Sequence, residues 1–347
     1  MKRRGMLVTF ALIFTVLIIG FFFPSEQTTN QTASSNEGKS AETNKKQLTV
    51  GLLQTTSHPS LDEIREGTIQ GLAENGYVEG ENLTINFQNA QGDQNLMNTM
   101  ASSIVSEGAD IVIGIGTPAS QALTNVTSDI PVIMAAVSDP IGSGLVTSEE
   151  EPGGNVTGVK NQAPVEDQIE LMTAILPDAQ TVGMLYSSGE DNARAEAARA
   201  QVAIEDAGLD LKTYTVSNTN EIQQMVAAMS KEVDVIYLPT DNTIASAFNT
   251  VVSEADRYNM PLIPTVDLMI AQGGLATIGI SQVQLGVESG RMAAEVLDGK
   301  DPATFPVYIV EGGEQLINVE KAEAIGVTIP EDVLENSRII EPEEGGQ

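Results

Sequence analysis

Asp110-Ile-Val-Ile-Gly-Ile115-Gly-Thr-Pro-Ala119 sets the fold: an unbroken apolar run ends in small polar residues, and a helical pattern begins at once. The motif recurs. Leu48 to Leu53 runs into Gln54-Thr-Thr-Ser-His58, and Val132 to Val137 into Ser138-Asp-Pro140. Val182 to Tyr186 leads to Ser187-Ser-Gly-Glu-Asp191, Val233 to Leu238 to Pro239-Thr-Asp-Asn242, and Leu262 to Val266 to Asp267. Continuous Val/Ile/Leu runs alternating with helices predict parallel strands covered on both faces. Ligands of such sheets sit outside the carboxyl ends of the strands, so the polar clusters are the candidate site.

Working outward, Ser60-Leu-Asp-Glu63 opens a helix as a capping box, and Leu83, Ile85 and Phe87 alternate as a strand. Asp93 caps a helix carrying Leu96, Met97, Met100, Ile104 and Val105, and a short strand follows over Asn155 to Val159. After Pro164 the βα pattern starts again, with a helix expected over Thr243 to Tyr258. The expected fold is α/β: two Rossmann-like lobes with parallel sheets, joined by several crossings of the chain that form a hinge. The first lobe is assigned residues 47–160 plus about 282–305, the second 161–281 plus about 306–340, and 341–347 are an acidic tail.

The chain has 347 residues, and its first 46 belong to neither lobe. Lys2-Arg3-Arg4 precedes an apolar stretch from Met6 to Phe23, enough helix for roughly 27 Å of hydrocarbon. Phe21-Phe-Phe-Pro-Ser-Glu26 offers no small-residue cleavage pattern. Residues 1–24 are therefore expected to be a membrane anchor rather than a cleaved signal, with the basic end cytoplasmic and the body extracytoplasmic. No cysteine is present for a lipid anchor. Residues 25–46 carry no large apolar side chain and read as a disordered linker, placing the body about 25 Å from the membrane.

Acids number 48 and bases 17, a net charge of -31. Such a surface repels nucleic acid, whose recognition needs Lys and Arg on phosphate. With one histidine and no cysteine, thiol catalysis and His/Cys zinc clusters are absent, and no G-x-S-x-G, Walker A or H-E-x-x-H motif occurs. No cofactor is expected. His58, before Pro59, is either a loop side chain or a ligand contact. Gly114-Ile-Gly-Thr-Pro-Ala119 matches the dinucleotide fingerprint only superficially, yet a helix opening at Gly116-Thr117-Pro118-Ala119 points free amides at whatever lies above and suits a carboxylate. Ordinary capping by Thr117 is the alternative reading. Ser138-Asp139 and Thr240-Asp241-Asn242 place carboxylates and neutral acceptors where an ammonium group would find them, although turns favour these residues for local reasons too. Thr55-Thr56-Ser57, Ser187-Ser188 and Asp267 add donors and acceptors, and the sum suits a small zwitterion. Replacing Asp241 by Ala is expected to abolish ligand retention and to leave the thermal transition of the empty protein nearly unchanged.

Seven segments in order carry a resemblance over residues 47 to 340. They are Leu53-Gln-Thr-Thr-Ser-His-Pro-Ser-Leu-Asp62, Gly67-Thr-Ile-Gln-Gly-Leu72, Gly76-Tyr-Val-Glu-Gly-Glu-Asn82 and Phe87-Gln-Asn-Ala-Gln-Gly-Asp93, followed by Thr117-Pro-Ala-Ser-Gln-Ala-Leu123, Ser138-Asp-Pro140 and Pro239-Thr-Asp-Asn242. Together they resemble the tryptophan/tyrosine-type substrate-binding proteins of ABC transporters. The resemblance implies a type I periplasmic-binding-protein fold, lobes closing on an amino acid, tryptophan above all, and delivery to a membrane permease with a cytoplasmic ATPase. It implies a pocket at Gln54 to His58, Gly116 to Ala119, Ser138-Asp139, Tyr186-Ser187-Ser188 and Thr240-Asp241-Asn242. Thr117 would hold the carboxylate, Asp241 with Asn242 the ammonium, and Tyr186 would stack on the ring, since the chain has no tryptophan. A binding protein or sensor for a branched-chain amino acid, sugar or nucleoside shares the architecture, and an extracellular enzyme using Asp139 and Asp241 is a third alternative.

Overall fold

The computed structural model describes residues 47–341. The anchor, the linker and all but Glu341 of the tail lie outside them, and among the described residues no helix is long and apolar enough to cross a membrane. In the first lobe the order is β1 (Leu48–Gln54), α1 (Pro59–Glu74), β2 (Leu83–Asn89), α2 (Gln94–Ser106), β3 (Ile111–Ile115), α3 (Thr117–Thr124), β4 (Val132–Val137) and β5 (Val156–Asn161). The chain then crosses into α4 (Val165–Ile175), β6 (Thr181–Ser187), α5 (Asp191–Asp206), β7 (Asp210–Val216), α6 (Ile222–Met229), β8 (Val235–Leu238), α7 (Asn242–Ser246), α8 (Phe248–Asp256), β9 (Leu262–Pro264), α9 (Leu268–Ala271) and β10 (Ala276–Gly279). It returns for α10 (Gln282–Leu297) and β11 (Tyr308–Val310), and ends with β12 (Glu314–Ile317), α11 (Val319–Ile325), α12 (Glu331–Glu335) and β13 (Arg338–Ile339).

One sheet has the order β11-β5-β4-β3-β1-β2, every pair parallel. Its central strands are apolar throughout because both faces are covered. Ile111, Ile113 and Ile115 of β3 enter one hydrophobic cluster while Val112 enters the cluster on the opposite face. The second lobe repeats this with the parallel order β7-β6-β8-β9: Val235 and Tyr237 point one way, Ile236 and Leu238 the other. Beside it lies a sheet of order β10-β12-β13, whose β10–β12 pair is antiparallel.

Two expectations need correction. Residues 308–310, assigned above to the second lobe, pair in parallel with Val159 to Asn161 of β5, and Phe305, Val307 and Val310 are buried in the first lobe. The chain therefore crosses a third time after β11 rather than before it. The helix expected over Thr243 to Tyr258 breaks at Ala247 (φ -124, ψ 25), where Phe248 enters the core at 1% exposure.

Helix α10 packs on α1 through glycines spaced four apart on each. A Cβ on Gly67 would fall 2.3 Å from the Val283 carbonyl oxygen, on Gly71 2.2 Å from that of Val287, on Gly286 2.2 Å from that of Ile64, and on Gly290 2.2 Å from that of Thr68. Only hydrogen side chains permit this approach. The pair carries the site as well, since α1 opens at His58 and α10 opens at the crossing from the second lobe.

Candidate functional site

The carboxyl ends of strands from both lobes line a narrow cavity of about 30 Å³, room for a water or two, so a larger ligand enters only if the lobes part. From the first lobe come His58, Ser60, Leu61 and Ile64 at the start of α1, Gly116 and Thr117 at the start of α3, Ala136 near the end of β4 and Ser138 just after it, and Asn161 at the end of β5. Asn192, Thr240, Asp241, Asn242, Ala245 and Val266 face them, with Gln282 at the crossing.

Gly116 adopts φ 85 and ψ 161, a region open essentially only to glycine. Its N–H donates to Ala135 O, and the Thr55 hydroxyl, donating to Ile115 O at 2.9 Å, ties the turn to β1. Ala136, also left-handed at φ 60, sits where the β4–β5 register slips between Met134 and Val137. Strain of this kind in a non-glycine residue concentrates at functional positions. The turn so fixed brings forward two buried hydroxyls, Thr117 Oγ1 and Ser138 Oγ, that have no protein partner.

In the opposite wall Asp241 accepts from the Ile244 N–H at 2.8 Å, capping α7, and from the Ser187 N–H. Burial, and then the charge of Glu190, push its carboxyl up to about 8 against the pull of the backbone amides. Glu190 accepts five hydrogen bonds: from the N–H and Nδ2 of Asn242, the N–H and hydroxyl of Thr243, and Asn192 Nδ2. Glu196, fully buried and raised by that burial, accepts from the Thr240 N–H at 2.7 Å and its hydroxyl at 3.1 Å, fixing the turn from below. Two carboxylates thus stand close together, and among the described residues no Lys or Arg lines the cavity.

Of the residues expected from sequence, His58, Gly116, Thr117, Ser138, Thr240, Asp241 and Asn242 line this cavity. Thr55, Thr56, Pro118 and Ser187 line a wider adjoining cleft, which shares Asn242. The others lie elsewhere. Gln54 is buried and holds the loop through Thr56 O and Asp62, to which exposed Ser57 also donates. Ala119 is core. Asp139 turns back to the Gly142 N–H, Ser188 donates to Val216 O, and Asp267 caps α9. Burial raises Asp267 to about 6, helped by the charge of Glu63 across the lobes. Tyr186 packs on the core of the second lobe, and the apolar wall consists of Leu61, Ile64, Ala136, Ala245 and Val266, with no ring among them.

Sequence reasoning passed over Glu190, Asn192, Glu196, Asn161 and Gln282. A signal for Glu196 existed: it shares the buried stripe Ala193, Ala197, Ala200 and Ile204 of α5, where an acid is out of place unless it serves a turn. Asp241 also holds the backbone, and removing it would strand the Ser187 and Ile244 amides, which argues against the expectation that its loss leaves stability unchanged.

The lobes touch through few polar contacts. His58 Nε2 lies 3.4 Å from Asn242 Oδ1, and Gln121 Nε2 donates to Asp191 Oδ2 at 2.7 Å. Burial, the largest influence on the His58 ring, lowers its pKa.

Comparison with known proteins agrees with this architecture. A curated protein of Clostridioides difficile (strain R20291) described as tyrosine-binding protein is 36% identical over 292 residues, 84% of each chain. A solved structure described as an ABC domain in complex with L-Trp from Streptococcus pneumonia is 45% identical, with a TM-score of 0.83, covering 84% of this chain and 99% of that one. The ligand-free, open structure of a substrate-binding protein with adhesive properties from Clostridium difficile is 32% identical with a TM-score of 0.65, covering 85% and 100%. The family model for ABC transporter substrate binding proteins matches residues 49–339, and the chain belongs to that family.

Proposed function

We propose that the protein captures an aromatic amino acid, tryptophan or tyrosine, between its lobes outside the cytoplasmic membrane and hands it to an ABC permease driven by a cytoplasmic ATPase. Binding is the output, and no covalent step is involved. One jaw comprises residues 47–161 with 282–311, the other 162–281 with 312–340, and the N-terminal segment holds both near the membrane.

One observation carries the reading. Thr117 Oγ1, Ser138 Oγ, His58 Nδ1 and Asn192 Oδ1 are buried, have no protein partner, and line the same cavity. Buried polar groups are almost always paired, so four converging on one space mark groups that a ligand satisfies. Their chemistry is segregated. The two hydroxyls donate beside the opening of α3, as a carboxylate requires. Asn192 Oδ1 stands with Asp241 and Glu190, as an ammonium requires, and the ligand supplies the positive charge that the chain does not place there. The aliphatic wall takes the ring. The names of the tyrosine-binding relative and the L-Trp complex support the same ligand class.

Isothermal calorimetry of the full chain with the twenty amino acids, and with sugars and nucleosides as controls, tests the reading. Tryptophan or tyrosine should bind at micromolar affinity or tighter, about -8 kcal/mol. Heat from a neutral sugar or nucleoside and none from any aromatic amino acid would refute it.

A further inference from the structure

We propose that His58 is a specificity-determining residue: it presents an unprotonated Nδ1 to the ligand's side chain, accepts a hydrogen bond from an indole N–H or a phenol O–H, and so selects against rings without a donor. The proposal rests on the aromatic amino acid reading above and deepens it.

The tautomer follows from a chain of hydrogen bonds that crosses the cleft. A carboxylate only accepts, and Glu190 Oε2 lies 2.6 Å from one end of the Asn242 side-chain amide, so that end is Nδ2. The other end, Oδ1, then faces His58 Nε2 at 3.4 Å. An amide oxygen cannot donate, so the imidazole hydrogen is on Nε2. Burial is the main influence on the ring and disfavours a second proton, although the Asn242 hydrogen bond and then the charges of Glu190 and Asp62 pull the other way. Nδ1 is left with a lone pair, buried and without a protein partner.

Its position decides what it meets. Asn192 Oδ1 and the Asp241 carboxyl stand on the opposite lobe, with the acceptors for the ammonium, and the Thr117 and Ser138 hydroxyls serve the carboxylate. His58 stands at the first turn of α1, whose Leu61 and Ile64 form the aliphatic wall for the ring. An acceptor set in that wall is satisfied by a ring that carries a donor. A ring without one leaves it buried and unpaired, which costs about 10- to 100-fold in affinity.

The chain has a single histidine, so the ¹⁵N spectrum of its imidazole reports this residue alone. We expect the Nε2–H tautomer in the full chain, with the Nδ1 resonance shifting on tryptophan addition and barely on phenylalanine addition. Calorimetry on the unaltered protein should show phenylalanine, 1-methyl-tryptophan and O-methyl-tyrosine binding about 10- to 100-fold more weakly than whichever of tryptophan and tyrosine binds best. His58→Leu should collapse that ratio towards one, and His58→Asn, which keeps a polar atom near the Nδ1 position, should restore part of it. A ratio unchanged in His58→Leu, an Nδ1–H tautomer, or equal affinity of the unaltered protein for tryptophan and its 1-methyl analogue would overturn the assignment and leave the aromatic amino acid reading standing. No binding of any aromatic amino acid would overturn both. The tautomer and the analogue series need no variant, so they decide even if His58→Leu does not fold.

Discussion

Replacing Gly71 by alanine puts the packing of α1 on α10 to a direct test. In an uncrowded helix the change stabilises by up to about 1 kcal/mol, because alanine is the better helix former. Here the added Cβ would lie 2.2 Å from the Val287 carbonyl oxygen, 2.9 Å from its carbonyl carbon and 3.0 Å from its Cα. Carbon–oxygen contacts settle at about 3.3 Å or more, so roughly 1 Å of overlap must be relieved, and both partners are backbone. Overpacking of this kind costs about 1–3 kcal/mol, and opening the helices by 1 Å forfeits a quarter to a half of the dispersion energy of each contact it stretches. The expected net loss is about 2 kcal/mol, a fall of about 3 °C in the melting temperature read by scanning calorimetry. Gly154→Ala, where an added Cβ meets nothing within 4 Å, serves as the control and should leave the transition within about 1 °C. Ligand affinity should fall with stability in Gly71→Ala, because α1 carries His58, Leu61 and Ile64 to the cavity. A melting temperature raised by Gly71→Ala, as propensity alone dictates, would refute the reasoning.

Three further outcomes follow from the site. Asp241, raised to about 8 from 3.8, favours the empty fold fully below pH about 4 and loses that contribution as pH rises through 8; a ligand ammonium takes the place of its proton. Calorimetry at pH 7 in buffers of different ionisation heat should therefore show up to one proton released per ligand, vanishing above pH about 9 and in Asp241→Asn, and no release would exclude this carboxyl as the ammonium partner. Asp241→Ala strands the Ser187 and Ile244 amides and should lower stability by about 2 kcal/mol in urea titration; an unchanged midpoint would deny it the capping role. Gln121→Ala removes the hydrogen bond to Asp191 between the lobes and should raise the ligand dissociation rate about 3- to 10-fold in stopped flow, with little change in association.

The sheets were legible because burial on both faces forces unbroken apolar runs. β3 is buried at all five positions, and β8 at all four. The strand assigned to the wrong lobe is a short one. Tyr308 to Val310 lies just before a crossing, and three residues hold too little pattern to name a partner sheet, whereas Glu314 to Ile317 pairs with β10 in the lobe expected for it. Tyr186 was expected at the ligand against the strand's own periodicity. Alternate residues share a face, so Tyr186 follows Val182 and Met184 into the core while Leu185 goes to the other side. Thr117, Ser138 and Asp241 were legible because they sit at strand ends and helix openings. Glu190 was not, since its role depends on five donors, all but one of them some fifty residues away in sequence. The glycine spacings on α1 and α10 were each visible, but nothing in a single chain says that residue 71 faces residue 287.

The acidity of the chain acquires a local meaning at the cavity. With 48 acids and 17 bases the surface is screened by salt, but Asp241 and Glu190 are buried beyond the reach of counter-ions. Burial, and then the charge of Glu190, hold the Asp241 carboxyl well above its usual range, and four polar atoms lining the cavity have no partner among the described residues. On the proposed reading, opening the lobes returns water to these groups, and closure around an aromatic zwitterion pairs them with its carboxylate, ammonium and ring donor. A ligand shifts the equilibrium only by the difference in its affinity for the two states. The His58–Asn242 and Gln121–Asp191 contacts are among the side-chain ties between the lobes, and on the proposed reading the ligand's own polar groups add to them. On that reading the clamp closes well only when filled, because its wall holds buried acids and, among the described residues, no lining cation, on strand ends carried beside two close-packed helices.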